Sequence, residues 1–513
     1  MKTSQPNQTD AARSVAAAGG ARHAALHHTL LKVIARIPGT PPRVVGRLAR
    51  YYSARGEHAL AAHWYRRALR SAAPGQGARY QVTAGLHHDL GMALLQLGDH
   101  AGAECAFREA FALRPDASWS LQGLAEALTA QDRLQEAEAA LRQALALTPS
   151  NRWLRFHLSG CLFAQQRRGE ALDLVLAPTD RGMVTSSPIL SFPAAFLTED
   201  DCTSARIECA RRLARAAPTD QETLLLLGWM LSLRGEYAEA TEAWRQLSAL
   251  CWPGFRGGPP DWGGRTKPPS FLILGQSKAG TTALWTWLCQ HPLILPPPIK
   301  EPHYWTHHQR GGDAWYHALF PPIPRDAPQI TGEASTDTLT NLEDIASLAR
   351  ALPAAKLIVL LRDPVARAYS HYQMYRRIGW EPRAWDEAIN EELARIPECP
   401  LTEAGAAALP MLPPGNYLRR GIVLPFLRRW LQYYPKEQLL ILHQADLLHS
   451  TPATVERVVR FLGLPTFTPD CQQRVNRDPY PPMGPAIAHR LRDWYAPHQA
   501  ALAEFLAEWG ARV

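Results

Sequence analysis

The 513-residue sequence predicts two architectures in one chain: an α-helical repeat array followed by an α/β domain with a mainly parallel sheet. Three observations carry this expectation. A helix-pair pattern recurs at a 34-residue spacing in the first half. A stretch dense in proline and glycine interrupts the middle. Short apolar runs, each followed by a polar turn and a helical pattern, mark the second half.

The repeats come first. Ala103 and Ala137, and likewise Pro115 and Pro149, are 34 residues apart. One copy contains Leu90-Gly91, Gly98, Ala103, Phe107 and Ala110; the next contains Leu124-Ala125, Ala137, Leu141 and Ala144. Leu48-Ala49, Gly56, Ala61, Tyr65 and Ala68 fit an earlier copy, and Leu227-Gly228, Gly235, Tyr237, Ala240 and Trp244 a late one, with Leu158 and Ala171 marking a degenerate copy between. Small residues let the two helices of a pair approach closely, large ones fill the gap to the next pair, and each unit buries its apolar face only against neighbours. The period and residue types resemble the tetratricopeptide repeat (TPR). That resemblance implies a TPR-like solenoid over residues 41–250, after a polar, partly helical segment at 1–40 with an amphipathic Leu26–Ile37. It also implies a protein or peptide partner on the concave groove, or presentation of an acceptor there. The proline-containing stretch from Pro178 to Phe196 breaks the periodicity.

Residues 251–269 read as a Pro/Gly linker, and 270–513 as the second domain. A linker between two cores predicts that a chain starting near Gly264 folds by itself.

The second domain opens on an apolar strand, Phe271 to Leu274, a break at Gly275, a polar loop Gln276-Ser277-Lys278-Ala279-Gly280 and a helix from Thr281 to about Cys289. A helix N-terminus offers unpaired N–H groups and about half a positive charge. Lys278 adds a full charge, and the Thr281 and Thr282 hydroxyls add donors. The loop is built to hold a phosphate or phosphosulfate. It is not a Walker A loop, because Lys278 precedes Gly280 by two residues instead of following it directly. The order K-x-G-T-T resembles the 5′-phosphosulfate loop of sulfotransferases that use 3′-phosphoadenosine 5′-phosphosulfate (PAPS).

A second element supports that resemblance. Leu357 to Leu361 form an apolar strand, stopped by Arg362-Asp363-Pro364, and a helix then carries Ser370 eight residues after Arg362. An arginine fork suits a terminal phosphate bidentately, and R-D-P…S resembles the 3′-phosphate clamp of the same family. Glu333-Ala334-Ser335, Asn416-Tyr417, Trp430, Tyr434-Pro435, Asp446-Leu447 and Phe461-Leu462-Gly463-Leu464-Pro465 follow the family's order of landmarks, from about Pro269 onwards. The heparan-sulfate-type carbohydrate branch is the most similar: its K/N-E-x-x-[FY]-[FW] segment is matched here by Lys300-Glu301-Pro302-His303-Tyr304-Trp305. The resemblance implies a P-loop-like α/β sulfotransferase fold, with PAPS as co-substrate and Lys278, Ala279, Gly280, Thr281, Thr282, Arg362 and Ser370 on the nucleotide. It implies Glu301 as general base, with His303 the competing base. Sulfuryl transfer needs a base for the acceptor proton and cations for the leaving phosphate oxygen, roles that fall to Glu301 and Lys278.

Two departures stand out. The branch carries a lysine after the glutamate of E-K-[ST]-P-x-Y, where this chain has Ala334; Lys300 is the substitute. The late basic loop has its counterpart in the 474–483 segment, where Arg474 and Arg477 are further 3′-phosphate candidates.

A net charge of +8 suits anionic ligands and an anionic acceptor, but the arginines are dispersed and no dense basic run points to nucleic acid. The eight cysteines form no C-x-x-C pair, which favours a reduced, cytoplasmic compartment. The adjacent His307-His308 is read without a metal-ligand partner, so no metal is expected. There is no signal-peptide pattern, and the longest apolar run, Leu224 to Leu233, is too short to span a bilayer. Alanine and arginine abundance fits a bacterial source. The function expected is sulfuryl transfer to a carbohydrate hydroxyl or amine; transfer to a tyrosine peptide or a lipid, and a repeat scaffold that merely binds nucleotide, are the alternatives. The acceptor and the oligomeric state are not encoded in any motif.

Overall fold

The computed structural model describes residues 33, 37, 40–71, 78–176, 197–252, 266–341, 344–377, 380–395, 416–471 and 480–510. The chain divides near residues 175–182 into two compact units.

The first unit contains helix pairs Pro42–Ala54 with His58–Arg70, Ala78–Leu97 with His100–Leu113, Ser118–Ala130 with Leu134–Leu147, and Arg152–Ala164 with Arg168–Leu176. Its packing follows the small-against-large rule. Phe107 is fully buried, and its ring lies where a Cβ on Gly91 or Gly123 would come within 2.7 or 2.4 Å of it. Only glycine lets the flanking helices close on that ring. Helix starts are capped where the sequence supplies an acceptor: Asp99 accepts from the Gly102 N–H at 2.9 Å and Asn151 from the Leu154 N–H at 3.3 Å.

The second unit is built on a four-stranded, all-parallel sheet of order β2-β1-β3-β4: β1 is Phe271–Gly275, β2 Gly332–Glu333, β3 Lys356–Leu361 and β4 Leu439–His443. The strands expected at Phe271–Leu274 and Leu357–Leu361 are β1 and β3, and the apolar run Leu439–Leu442 forms β4. The two-residue β2 has no apolar run to betray it. Phe271, Ile273, Ile358, Leu360, Leu440 and Leu442 point to one face, beneath helices Thr281–Leu288 and Thr451–Leu462. The alternate residues Leu272, Leu274, Leu357 and Val359 are buried as well, so both faces are covered, as a parallel sheet requires. The C-terminal helix Pro485–Gly510 buries Leu491 and Tyr495 in a cluster with Tyr369, Tyr372, Trp385 and Tyr417.

The helix pair Gln221–Leu233 and Tyr237–Cys251 carries the late repeat copy, yet it packs within this second unit. Gly228 admits the Trp244 ring as Gly91 admits Phe107. Trp244 and Trp315 are both fully buried, with ring centroids 6.2 Å apart. Trp315 donates its indole N–H to Ser232 Oγ at 2.9 Å, and Ser248 Oγ donates to Phe320 O at 3.3 Å. These are core contacts across the Pro/Gly segment, and a chain starting near Gly264 would expose them. Most of the linker, like the 178–196 break and the Leu26–Ile37 segment apart from residues 33 and 37, lies outside the described residues. No helix among the described residues is long and apolar enough to cross a membrane.

Candidate active site

The site forms where β1 and β3 end. β1 runs into Gly275 at φ +151°, where a Cβ would press on Thr336 O at 3.0 Å. The loop closes on Gly280 at φ +94°, which begins the helix Thr281–Leu288. Between them Lys278 takes a left-handed conformation, φ 70°, uncommon for a residue with a side chain. Gln276 explains how the loop is held. It is buried; its side-chain oxygen accepts from the Arg362 N–H at 3.0 Å, and its side-chain nitrogen donates to Arg420 O at 3.1 Å. Arg362 returns the contact by donating from Nη1 to Lys278 O at 2.6 Å. The loop and the R-D-P corner, 84 residues apart in sequence, are therefore one unit.

Lys278 Nζ reaches Met374 Sδ, 3.4 Å away, on the helix Pro364–Arg377. Ser370 is buried on that same helix. Ala279 is fully buried against the sheet and its N–H donates to Gln276 O at 3.1 Å, so its amide closes the loop turn. Gly280, Thr281 and Thr282 sit at the helix N-terminus, whose first N–H groups have no intrahelical acceptor. Arg474 and Arg477 lie outside the described residues.

Glu301 joins this group through its neighbour. Lys300 Nζ donates to Thr282 Oγ1 at 3.1 Å and pairs with the Glu301 carboxylate. The K-E turn thereby lies over the start of the helix Thr281–Leu288. Its backbone is fastened from the other side, where the Ala334 N–H donates to Lys300 O at 2.9 Å. His303 follows with φ 53°, its N–H 3.4 Å from Ser335 Oγ and its Nε2 4.0 Å from Glu301 Oε2.

Beneath that turn lies Glu333, a landmark in the sequence with no role assigned to it. It is completely buried. Tyr316 donates to one carboxylate oxygen at 2.7 Å and Ser335 to the other at 2.9 Å. Burial, reinforced by the nearby Glu301 charge, pushes its pKa up to about 7 against the pull of those two hydrogen bonds. Tyr316 stacks on Tyr304, centroids 4.5 Å apart, and Tyr304 on Trp315, at 5.9 Å. One continuous aromatic stack thus links the Glu301 turn to the helix pair 221–251.

A second buried group surrounds Arg420, whose guanidinium pairs with Asp337. Burial would raise the Asp337 carboxyl, but Arg420, His303 and His307 outweigh it and hold it below its usual value. Burial lowers Arg367 and Arg419 to about 10, and drives His371 well below its ordinary value, with Arg420, Arg367 and Lys278 adding to the effect. The floor of the site is cationic. Among the described residues, His303, His307 and Asp337 each bring one potential ligand atom within 4.8 Å of the other two. His303 and His307 are an H-x-x-x-H pair, the sequence signal for this cluster that reading His307 with His308 conceals.

Both regions of the chain are similar to known proteins. Residues 268–477 match the sulfotransferase domain family, and residues 84–117 and 128–181 match tetratricopeptide repeat families. A human bifunctional heparan sulfate N-deacetylase/N-sulfotransferase 3 is 31% identical over 273 residues, covering 47% of this chain and 30% of the relative. Human carbohydrate sulfotransferase 15 is 27% identical over 300 residues, covering 47% of this chain and 54% of the relative. A sulfotransferase structure from Alicyclobacillus acidocaldarius aligns at 24% identity and a TM-score of 0.37, covering 47% of this chain and 98% of that one. The chain thus spans between about a third and a half of the length of these curated relatives. It carries a sulfotransferase domain preceded by tetratricopeptide repeats.

Proposed function

We propose that the sulfotransferase domain moves a sulfuryl group from PAPS to a hydroxyl or amine of a carbohydrate acceptor, with Glu301 as the general base. The observation that carries this reading is the Lys300 bridge. Its ammonium joins Thr282, at the N-terminus built to hold the phosphosulfate, to Glu301, the group that would take the acceptor proton. Lys300 also fills the role of the lysine that Ala334 replaces.

In this mechanism Glu301 accepts the proton from the acceptor O–H or N–H as that atom bonds to sulfur. The bond from sulfur to the 5′-phosphate oxygen breaks, and adenosine 3′,5′-bisphosphate leaves. Charge develops on the leaving phosphate oxygen, where Lys278 and the first N–H groups of the Thr281–Leu288 helix stabilise it. Arg362 and Ser370 take the 3′-phosphate. Arg362 would exchange or share its bond to the Lys278 carbonyl for a stronger, charge-assisted one. The repeats present the acceptor or dock a protein partner, and the unpaired spacing of the cysteines favours a reducing compartment such as the cytoplasm.

The test is incubation of the full chain with radiolabelled PAPS and a panel of glycans, peptides and lipids. Label on a glycan supports the reading; label confined to peptide or lipid overturns the acceptor class, and no label at all overturns the activity. Calorimetry with adenosine 3′,5′-bisphosphate addresses the clamp. Arg362→Ala removes a charge-assisted bond worth about 1.5–3 kcal/mol, so affinity should fall about ten- to a hundredfold. Unchanged affinity rejects the clamp.

A further inference from the structure

We propose that His303, His307 and Asp337 form a binding site for a late first-row divalent cation, with Zn2+ the best fit. The three side chains converge, one ligand atom of each lying within 4.8 Å of the other two. A tetrahedral zinc site with Zn–N near 2.0–2.1 Å sets its donors about 3.3 Å apart, so small side-chain rotations close the set. The backbone already fixes two of the three. The His307 N–H donates to His303 O at 2.8 Å, so the four-residue spacing brings both imidazoles to one side of the turn. Asp337 arrives from a different segment, beyond β2, as the third corner.

The three groups are also short of other partners. His303 Nδ1 is buried and has no hydrogen-bond partner among the described residues. The His307 ring makes no hydrogen bond among the described residues, and Arg420 takes only Oδ1 of Asp337, leaving Oδ2 without one. A buried polar atom such as His303 Nδ1 is normally satisfied, and a bound cation would satisfy it. Two imidazoles and one carboxylate suit Zn2+, Co2+ or Ni2+ better than Mg2+ or Ca2+, which prefer all-oxygen sets. Three protein ligands leave a fourth position open. The Glu301 carboxylate lies near the cluster, its Oε2 4.0 Å from His303 Nε2. The Arg420 guanidinium opposes the cation electrostatically, which makes this an exchangeable site.

The experiment is titration of the chelator-treated full chain with Co2+, followed by visible absorption, and with Zn2+ by calorimetry. One equivalent should bind. His307 is exposed, so His307→Ala spares the fold, and it should weaken binding by at least about tenfold. Asp337→Asn should weaken it as well, and His449→Ala, at an exposed histidine on another segment, should leave it unchanged. Absence of Co2+ and Zn2+ binding to the unsubstituted chain overturns the proposal, as does equal binding by His307→Ala.

Discussion

Arg133 and Arg420 both pair with carboxylates, in opposite settings. Arg133 lies between Glu104 and Glu136, with 2.6 Å contacts to each and its side chain 36% exposed. Arg167 repeats the arrangement with Glu138 and Glu170, 34 residues on, again at 2.6 Å. This is a ladder on the outside of the repeats, open to water and salt. Arg420 is nearly buried with Asp337 under the Glu301 turn, close to the buried Arg367 and His371. The difference separates two ways of holding a structure. The repeats rest on close apolar packing, copied from unit to unit, and their charges are trim. The core of the second unit buries its charges, so that a single side chain there sets both geometry and pKa.

The largest expected effect comes from removing the helix pair 221–251, because it belongs energetically to the core. Truncating one buried aromatic such as Trp244 costs about 3–5 kcal/mol, against a typical domain stability of about 5–15 kcal/mol. A chain starting at Gly264 loses the whole pair and should show no cooperative melting transition. Trp244→Ala should lower the unfolding free energy of the full chain by an amount in the stated range. A truncated chain that melts cooperatively and binds adenosine 3′,5′-bisphosphate normally would restore the boundary at the Pro/Gly segment.

Next comes the buried acid. Glu333 titrates near 7 when folded, against an ordinary value of 4.5. Between those values the native state holds the proton more tightly, so this stability is full below pH 4.5 and is lost as pH rises to 7. The difference corresponds to about 3 kcal/mol. Glu333→Gln cannot ionise, so its stability relative to the unsubstituted chain should improve by about that much between pH 4.5 and pH 8. Chemical denaturation at both pH values measures it, and a pH-independent difference contradicts it.

The smallest effect belongs to the ladder. Arg133→Ala should cost only a small fraction of what Trp244→Ala costs, and less still in high salt. A loss several times larger would put the repeats and the core on the same footing.

The unequal legibility of the two regions follows from the same contrast. Repeats announce themselves because one packing solution recurs, so Gly91, Ala103 and Phe107 could be read against Leu124 to Ala144. The loop Gln276–Gly280 and the Arg362 corner were readable as strand-to-helix turns because Gly275, Gly280 and Pro364 punctuate the apolar runs. Gln276 was not, since nothing local shows that a loop glutamine will join Arg362 to Arg420, 144 residues away. Glu333 and Tyr316 escaped because a two-residue strand has no periodicity and the pair meets only in the fold. The helix pair 221–251 reads as a repeat because its internal packing is that of a repeat; its outer face, which meets Trp315, leaves no periodic trace.

The proposed chemistry turns on Glu301, and its most direct test is the turnover of Glu301→Gln. The amide keeps the shape but cannot take the acceptor proton. Turnover should fall by about 10²–10⁴-fold, with affinity for adenosine 3′,5′-bisphosphate unchanged and His303→Ala far milder. Near-normal turnover in Glu301→Gln, together with its loss in His303→Ala, would contradict that assignment and move the base to His303.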